Sequence, residues 1–241
     1  MRRDLVELLC GNPYPGRGIV IGCSGDGKRI VIVYFIMGRS ENSRNRIFVK
    51  TDDGVRTAAF DPSKMTDPSL IIYHPVRRVG TKTIVTNGDQ TETIFSHLSN
   101  GLDFRVALQT REFEPDHPVY TPRISGLVEP GSGYKLSIIK TMSGDPGRCQ
   151  RNYFEYADML QGVGHFISTY ETDGDPPPSF TGEPIPVTIS YSGSLDDFSL
   201  DVWNTLDDAN KVSLYAMECD LYGGDMKDLI INKHIPGGED K

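Results

Sequence analysis

The chain has 241 residues, of which 37% are hydrophobic and 24% are charged, and its net charge is −8 at pH 7. This length allows a full buried core, and the acidic balance argues against general binding of nucleic acids or membrane surfaces. The sequence shows no apolar run long enough to span a bilayer, no secretory signal and no CxxC pair among four scattered cysteines. We therefore expect a cytoplasmic protein with free thiols.

The first part of the chain predicts strands separated by turns. A Ser-Gly-Asp-Gly turn at 24–27 and an Asp-Asp-Gly turn at 52–54 each join two apolar runs and predict β-hairpins. The predicted strands here are 18–22, 29–37, 46–50, 55–60, 70–73 and 82–86. The apolar spacing then becomes helical over 90–98 and 102–112, with a break at Asn100-Gly101.

The second part repeats this order of elements. Strands are predicted at 123–128, 134–140, 153–156 and 164–170, helices at 195–203 and 206–218, and a last strand at 229–232. Residues 173–186 are too rich in proline for a helix or a central strand, which predicts a long loop, a lid or a passage between subunits. The tail 236–241 is expected to fray. We expect an α+β fold, two sheets with helices on their outer faces, in a single domain over residues 1–241.

The segment 34–46 combines an apolar strand with a loop that carries three arginines. Arg39, Arg44 and Arg46 can grip phosphate or carboxylate bidentately, and serine and asparagine side chains complete such a grip. The alternative is a solvated surface turn, which most charged loops are.

Several segments match, in order, a known family. They are 16–18, 39–46, Ile72-Tyr73, 85–88, 112–116 and 121–124 in the first part, then 169–170, 178–180 and 182–184. In these segments the chain resembles the archaeal-type IMP cyclohydrolase family, with its second part similar to a longer bacterial branch. The resemblance implies a four-layered αββα sandwich like that of N-terminal nucleophile hydrolases, without their N-terminal nucleophile. It also implies a homo-oligomer that needs no metal and no organic cofactor.

The resemblance also assigns substrate-binding residues. Arg39 and Arg46 match the family's arginine element. One of them is expected to bind the 5′-phosphate of a purine nucleotide, and the other, or Arg123, to stabilise negative charge at the reacting end. Arg44 lies in a short insertion. The other residues expected to contact substrate are Ser40, Ser43, Asn45, Asn87 and Thr121. The alternative for Asn87 is a helix cap in a tight turn, a role that could coexist with ligand contact.

Three residues are expected to be catalytic by the same resemblance. Tyr73 would donate to an oxyanion or relay a proton, although a tyrosine after an apolar strand is more often part of a core. Glu114 best fits the active-site acid, with Glu112 and Asp116 as alternatives because the match needs one extra residue here. Arg123 would contact the ligand or hold Glu114.

The implied reaction is the last step of de novo purine synthesis, the ring closure of 5-formamidoimidazole-4-carboxamide ribotide (FAICAR) to IMP with loss of water. Glu114 would need a pKa raised by burial to accept a proton from the amide, or its role would be to orient the amide instead. A non-enzymatic purine-nucleotide sensor and a related C–N hydrolase acting on another nucleotide are the alternatives. His165, Tyr170 and Glu183 are further site residues by fainter resemblance.

Overall fold

The computed structural model describes residues 2–65, 68, 70–191 and 193–234, so the predicted frayed tail lies outside the described residues. The described strands are β1 (Arg3–Asp4), β2 (Arg17–Cys23), β3 (Arg29–Met37), β4 (Arg46–Thr51), β5 (Gly54–Ala59), β6 (Val76–Val79), β7 (Lys82–Thr86), β8 (Arg123–Glu129), β9 (Gly133–Met142), β10 (Asp145–Tyr156), β11 (Val163–Ser168), β12 (Ile185–Thr188), β13 (Lys211–Asp220) and β14 (Met226–Asn232). The described α-helices are α1 (Leu5–Cys10), α2 (Glu41–Arg44), α3 (Gln90–Ser99), α4 (Phe104–Gln109) and α5 (Leu195–Thr205). Among them, no helix combines the length and the apolar character that crossing a membrane requires.

The strands form two seven-stranded sheets. Sheet A has the order β1-β12-β11-β2-β3-β13-β14, and sheet B has the order β10-β9-β8-β7-β6-β5-β4. Neighbouring strands are antiparallel, apart from the parallel pair β1–β12. The two predicted hairpins are confirmed as β2–β3 and β4–β5.

The apolar side chains form three layers of core. The largest cluster lies between the sheets and includes Ile21 and Tyr34 from sheet A and Leu136 from sheet B. Helices α1 and α5 cover the outer face of sheet A, and helices α3 and α4 cover part of the outer face of sheet B. The fold is therefore mixed, with two large sheets and helices outside them, as the sequence predicts. Strands β2 and β3 are buried on both faces, which is why they read as continuous apolar runs.

The helix predicted over 206–218 is wrong, because most of this segment is strand β13. Its residues pack on both faces of sheet A: Leu214 and Ala216 face the helices, and Tyr215 and Met217 face sheet B. A strand buried on both faces has apolar residues at nearly every position, so its periodicity cannot be told from that of a buried helix.

The strand predicted over 70–73 is also wrong, since these residues form a turn and two bends. The Thr57 hydroxyl on β5 donates to the Ile71 carbonyl at 2.6 Å and accepts from the Tyr73 N–H at 2.9 Å. A side chain thus replaces part of the ladder of backbone hydrogen bonds. The segment is irregular, and hydrogen bonds to Thr57 of β5 fix it to sheet B.

Candidate active site

Four ionisable or phenolic side chains meet between the two sheets, near the start of β2 and of β4. Arg17 begins β2, Arg46 begins β4, Tyr73 lies in the irregular segment beside β5, and Glu114 lies between α4 and β8. Tyr73 acts to raise the pKa of each arginine, and both arginines act to lower the pKa of Glu114. Three of the four were predicted as site residues from the sequence, and Arg17 was not.

Arg46 is completely buried and has unused hydrogen-bond donors. Its Nε donates to the Ser43 carbonyl at 2.8 Å, but neither Nη1 nor Nη2 has a partner among the described residues. Burial lowers its pKa, and the like charge of Arg17 lowers it further. A buried guanidinium with two free nitrogens is unfavourable unless an anion completes it.

Arg17 supplies a second cation to the same place. Its Nε is buried and has no partner among the described residues. Burial acts to lower the pKa of Arg17, but Glu114 and the neighbouring tyrosines, Tyr170 first among them, outweigh this and raise it above its usual value. The side chain therefore stays charged. The sequence signal for Arg17 was its position between two glycines at the start of an apolar strand. This segment was matched to the family only as a glycine-rich stretch before the first hairpin.

Glu114 is the carboxylate that faces this cluster. It is 2% exposed, and burial raises its pKa to about 7 although Arg17 and Arg123 pull in the other direction. Of the two alternatives considered for this role, Glu112 is exposed. Asp116 instead accepts hydrogen bonds from the N–H and the hydroxyl of Thr121.

Thr121 connects the loop of Glu114 to sheet A. Its carbonyl accepts the Glu114 N–H at 2.9 Å, so the two ends of this loop are joined by a backbone hydrogen bond. Because its own hydroxyl donates to Asp116, Thr121 Oγ1 accepts from the Tyr170 hydroxyl at 2.8 Å. Tyr170 thus lies at the site, whereas His165 lies against Tyr134.

Arg123 holds the opposite side of Glu114. Its Nη1 lies 2.7 Å from Gln90 Oε1, 2.7 Å from Asp89 Oδ1 and 4.0 Å from Glu114 Oε1. Its Nε donates to the Glu112 carbonyl at 2.8 Å. The guanidinium is thus fixed by several acceptors at once. This suits a role of Arg123 in positioning Glu114 better than a direct contact between Arg123 and a ligand.

Asn87 is buried, and its amide is used within the protein. Its Nδ2 donates to the Pro122 carbonyl at 2.9 Å, and its Oδ1 accepts from the Ile124 N–H at 2.8 Å and from Gln90 Nε2 at 3.1 Å. These bonds fix the end of β7 against the start of β8. The amide orients the strands that carry the site.

Tyr73 is paired with a second phenol. Its hydroxyl lies 2.9 Å from the hydroxyl of Tyr34, and both side chains are buried. Burial, followed by the neighbouring Tyr73, raises the pKa of Tyr34 well above its usual value. Tyr34 therefore remains a neutral phenol that orients the hydroxyl of Tyr73.

The outer part of the arginine loop has partners within the protein. Arg39 Nη1 donates to Asp173 Oδ1 at 2.7 Å and to the Gly174 carbonyl at 2.6 Å, and its guanidinium lies over the Tyr14 ring, 4.9 Å from the centroid. It therefore connects this loop to the proline-rich segment 173–186. Arg44 instead contacts the Gly38 carbonyl and Asn210.

The three other residues of this loop that were predicted to contact substrate are also engaged. Ser40 and Ser43 form a capping box that begins α2. The amide of Asn45 exchanges two hydrogen bonds with the backbone of Asp61, at 2.7 and 2.8 Å. The structure thus brings Arg46 into the buried cluster and leaves Arg39, Ser40, Ser43 and Asn45 in contacts that shape the loop around it.

The raised pKa of Glu114 predicts a specific pH dependence of stability. Between about 4.5, its ordinary pKa, and about 7, the folded protein holds a proton that the unfolded chain has lost. The stabilisation is complete below the lower value and is lost as the pH rises through the higher one, a change of roughly 3 kcal/mol. Urea unfolding of the wild type and of Glu114→Gln across this range measures it. Parallel pH profiles for the two proteins would contradict the assignment.

Gly88 is a sensitive backbone position at the site. A Cβ placed there would lie 2.5 Å from Arg123 Nη1 and 2.7 Å from Gln90 Oε1. We expect Gly88→Ala to displace Arg123, to lower the free energy of unfolding by roughly 1–3 kcal/mol, and to reduce any activity that depends on Glu114. The matched control is Gly11→Ala, because a Cβ there meets no atom within 4 Å. Thermal unfolding of both variants gives the comparison, and equal unfolding temperatures would count against this view of Gly88.

Comparison with known proteins gives a consistent result. A family model described as IMP cyclohydrolase-like protein matches residues 14–223. A protein of Methanothrix thermoacetophila named IMP cyclohydrolase is 30% identical over 173 residues, which are 70% of this chain and 80% of that protein. Proteins with the same name from Methanopyrus kandleri and Haloquadratum walsbyi are 32% and 24% identical, over 65% and 77% of this chain and 75% and 81% of their own lengths.

Proposed function

The chain belongs to the family of IMP cyclohydrolase-like proteins, and on this premise we propose that it is an IMP cyclohydrolase that closes the second ring of FAICAR to give IMP and water. The observation that carries the proposal is the buried cluster of Arg17, Arg46 and Glu114. It combines two cations that have unused donors with a carboxyl whose pKa lies near 7. An anionic nucleotide and an internal proton transfer require this pair of properties.

Arg46 is the residue that we assign to the phosphate. Its two free nitrogens suit bidentate binding of an oxyanion, and binding would neutralise a charge that is costly to bury. Arg39, Ser40, Ser43 and Asn45 would complete the phosphate end from the loop around it, with Arg39 at its exposed side. Arg17 affects the pKa of Glu114 more than Arg46 does, and it would stabilise negative charge at the reacting end.

The reaction begins when the carboxamide nitrogen attacks the formyl carbon within one molecule. The new N–C bond forms as the formyl C=O pair moves onto oxygen, and this developing oxyanion would accept a hydrogen bond from Tyr73. Since both reacting groups belong to one substrate, the protein has to hold the formyl group against the carboxamide and does not have to bring two molecules together. Asn87, Arg123 and Thr121 would serve this purpose by fixing the walls of the site.

Glu114 would manage the protons. As a carboxylate it accepts a proton from the attacking nitrogen, and as an acid it returns this proton to the former formyl oxygen. The formamide nitrogen then gives its proton to Glu114, which passes it to the departing hydroxyl. The C=N bond forms as the C–O bond breaks, and the oxygen leaves as water. A carboxyl with a pKa of about 7 is populated in both forms at neutral pH, which an ordinary glutamate is not.

We also propose the broader properties that accompany this function. The chain would act as one IMP cyclohydrolase-like domain, since the family match extends over 14–223. The helix–sheet–sheet–helix layering supports a relationship to the N-terminal nucleophile hydrolase fold, and the four free cysteines are consistent with a cytoplasmic location. The implied family further supports a homo-oligomer.

The test is the absorbance-monitored conversion of FAICAR to IMP by the purified protein, with IMP binding measured in parallel by calorimetry. We expect turnover together with binding. Binding of IMP without turnover would identify a nucleotide sensor, and absence of both would refute the proposed function. Turnover of another nucleotide in place of FAICAR would indicate a related C–N hydrolase.

A further inference from the structure

A second polar cleft lies beside the proline-rich segment. It has a volume of about 490 Å³ and is bounded by the tip of the β9–β10 hairpin and by residues 179–182. Its lining includes Lys140, Ser143, Gln150, Ser179 and Thr181. None of these residues takes part in the proposed reaction.

Lys140 is the unusual member of this lining. The residue is only 8% exposed, its Nζ donates to the Phe180 carbonyl at 2.6 Å, and no carboxylate of a described residue lies within 4.0 Å of it. Burial lowers the pKa of this ammonium, and Glu171 alone acts in the opposite direction. The carboxylate of Glu171 already accepts the hydroxyl of Thr181.

Lys211 shows how the same chain treats another lysine buried to the same degree. Lys211 is also 8% exposed, but its Nζ lies 2.6 Å from Asp208 Oδ1 and 4.8 Å from the centre of the Trp203 ring. It is thus neutralised by groups of the protein. Among the described residues, Lys140 has a single neutral acceptor, which leaves two N–H donors for a ligand.

We propose that the Lys140 cleft binds a small oxyanion, the carboxylate or phosphate group of a metabolite, with Lys140 as its charged donor. The hydroxyl of Ser179 and the second N–H of the Gln150 amide supply neutral donors around it, whereas the Thr181 hydroxyl is used by Glu171. An oxyanion would compensate the buried charge, which the described residues leave without a counter-ion. This inference is independent of the proposed function.

The cleft is linked to the candidate active site through a short path. Ser179 forms a β-bridge with Tyr170, and the Tyr170 hydroxyl donates to Thr121 on the loop of Glu114. An occupant that contacts Ser179 therefore touches the segment that supports the site without entering it.

Calorimetric titration tests the proposal with inorganic phosphate and, separately, with succinate. For one of these anions, we expect Lys140→Met to weaken binding roughly ten-fold or more at one class of sites, while Lys140→Arg restores part of it. The control is Lys82→Met, a half-exposed lysine paired with Glu129. Arg46→Met identifies any binding at the active site. The anion that loses affinity shows whether the ligand group is a phosphate or a carboxylate.

Unchanged affinity of Lys140→Met for both anions would overturn the proposal. If that variant does not fold, the wild type gives an independent answer through acylation of Lys140, followed by peptide mass spectrometry. Protection of Lys140 by phosphate or succinate, with Lys82 labelled as before, supports the site. Equal labelling with and without both anions refutes it. Neither result depends on turnover of FAICAR.

Discussion

Glu114→Gln is expected to lower the turnover of FAICAR by roughly 10²- to 10⁴-fold while leaving the affinity for IMP within a few-fold of the wild type. Glutamine keeps the shape of the side chain and its hydrogen-bonding capacity but cannot exchange a proton. The loss should therefore appear in kcat and not in binding. Steady-state kinetics and calorimetry with IMP measure the two quantities separately.

Glu112→Gln is the matched control for this prediction. Glu112 lies two residues away in the same loop, but its side chain is exposed, and its backbone carbonyl accepts a hydrogen bond from Arg123. Its variant should retain full turnover. Equal loss in both variants would mean that the loop, and not the buried carboxyl, carries the effect.

Arg46→Met is expected to weaken nucleotide binding strongly and, at the same time, to stabilise the ligand-free folded protein. Binding should weaken by about a hundred-fold or more, because a buried charged partner of the ligand is removed. The free energy of unfolding of the ligand-free protein should rise by roughly 1–3 kcal/mol, because two nitrogens that have no partner among the described residues no longer have to be buried. Calorimetry with IMP and urea unfolding test the two effects.

Arg39→Met distinguishes this buried arginine from its exposed neighbour in the loop. Arg39 is partly exposed and paired with Asp173, so its loss should weaken binding less and bring no gain in stability. A lower free energy of unfolding in Arg46→Met would contradict the view that this buried arginine binds an anion. Equal changes of affinity and stability in the two variants would contradict it as well.

The candidate site residues proposed from the sequence depend on local pattern. Tyr73, Glu114, Thr121 and Arg123 lie in short segments that match the family in order. In the structure all four are buried, and Glu114 is joined to Thr121 by a backbone hydrogen bond and lies beside Arg123. The sequence left open whether Arg123 contacts the ligand or holds Glu114, because the answer depends on which groups accept hydrogen bonds from its guanidinium. One of them, Gln90, lies 33 positions away in the chain.

Other features depended on contacts between distant parts of the chain. Arg39 is engaged by Asp173, 134 positions away, so its spacing gave no sign that a protein carboxylate would occupy it. Arg17 entered the site only because β2 lies inside sheet A and begins beside the loop of Glu114. The strand β13 was predicted as a helix because a strand buried on both faces lacks the alternation of an ordinary strand.

A crystal structure of the protein with bound IMP would test the buried site most directly. We expect the nucleotide to lie between the two sheets, with an oxyanion on Nη1 and Nη2 of Arg46 and the purine ring within hydrogen-bond distance of Glu114 and Tyr73. IMP bound at the exposed face of the 39–45 loop, with Arg46 and Glu114 still out of contact with it, would contradict the account.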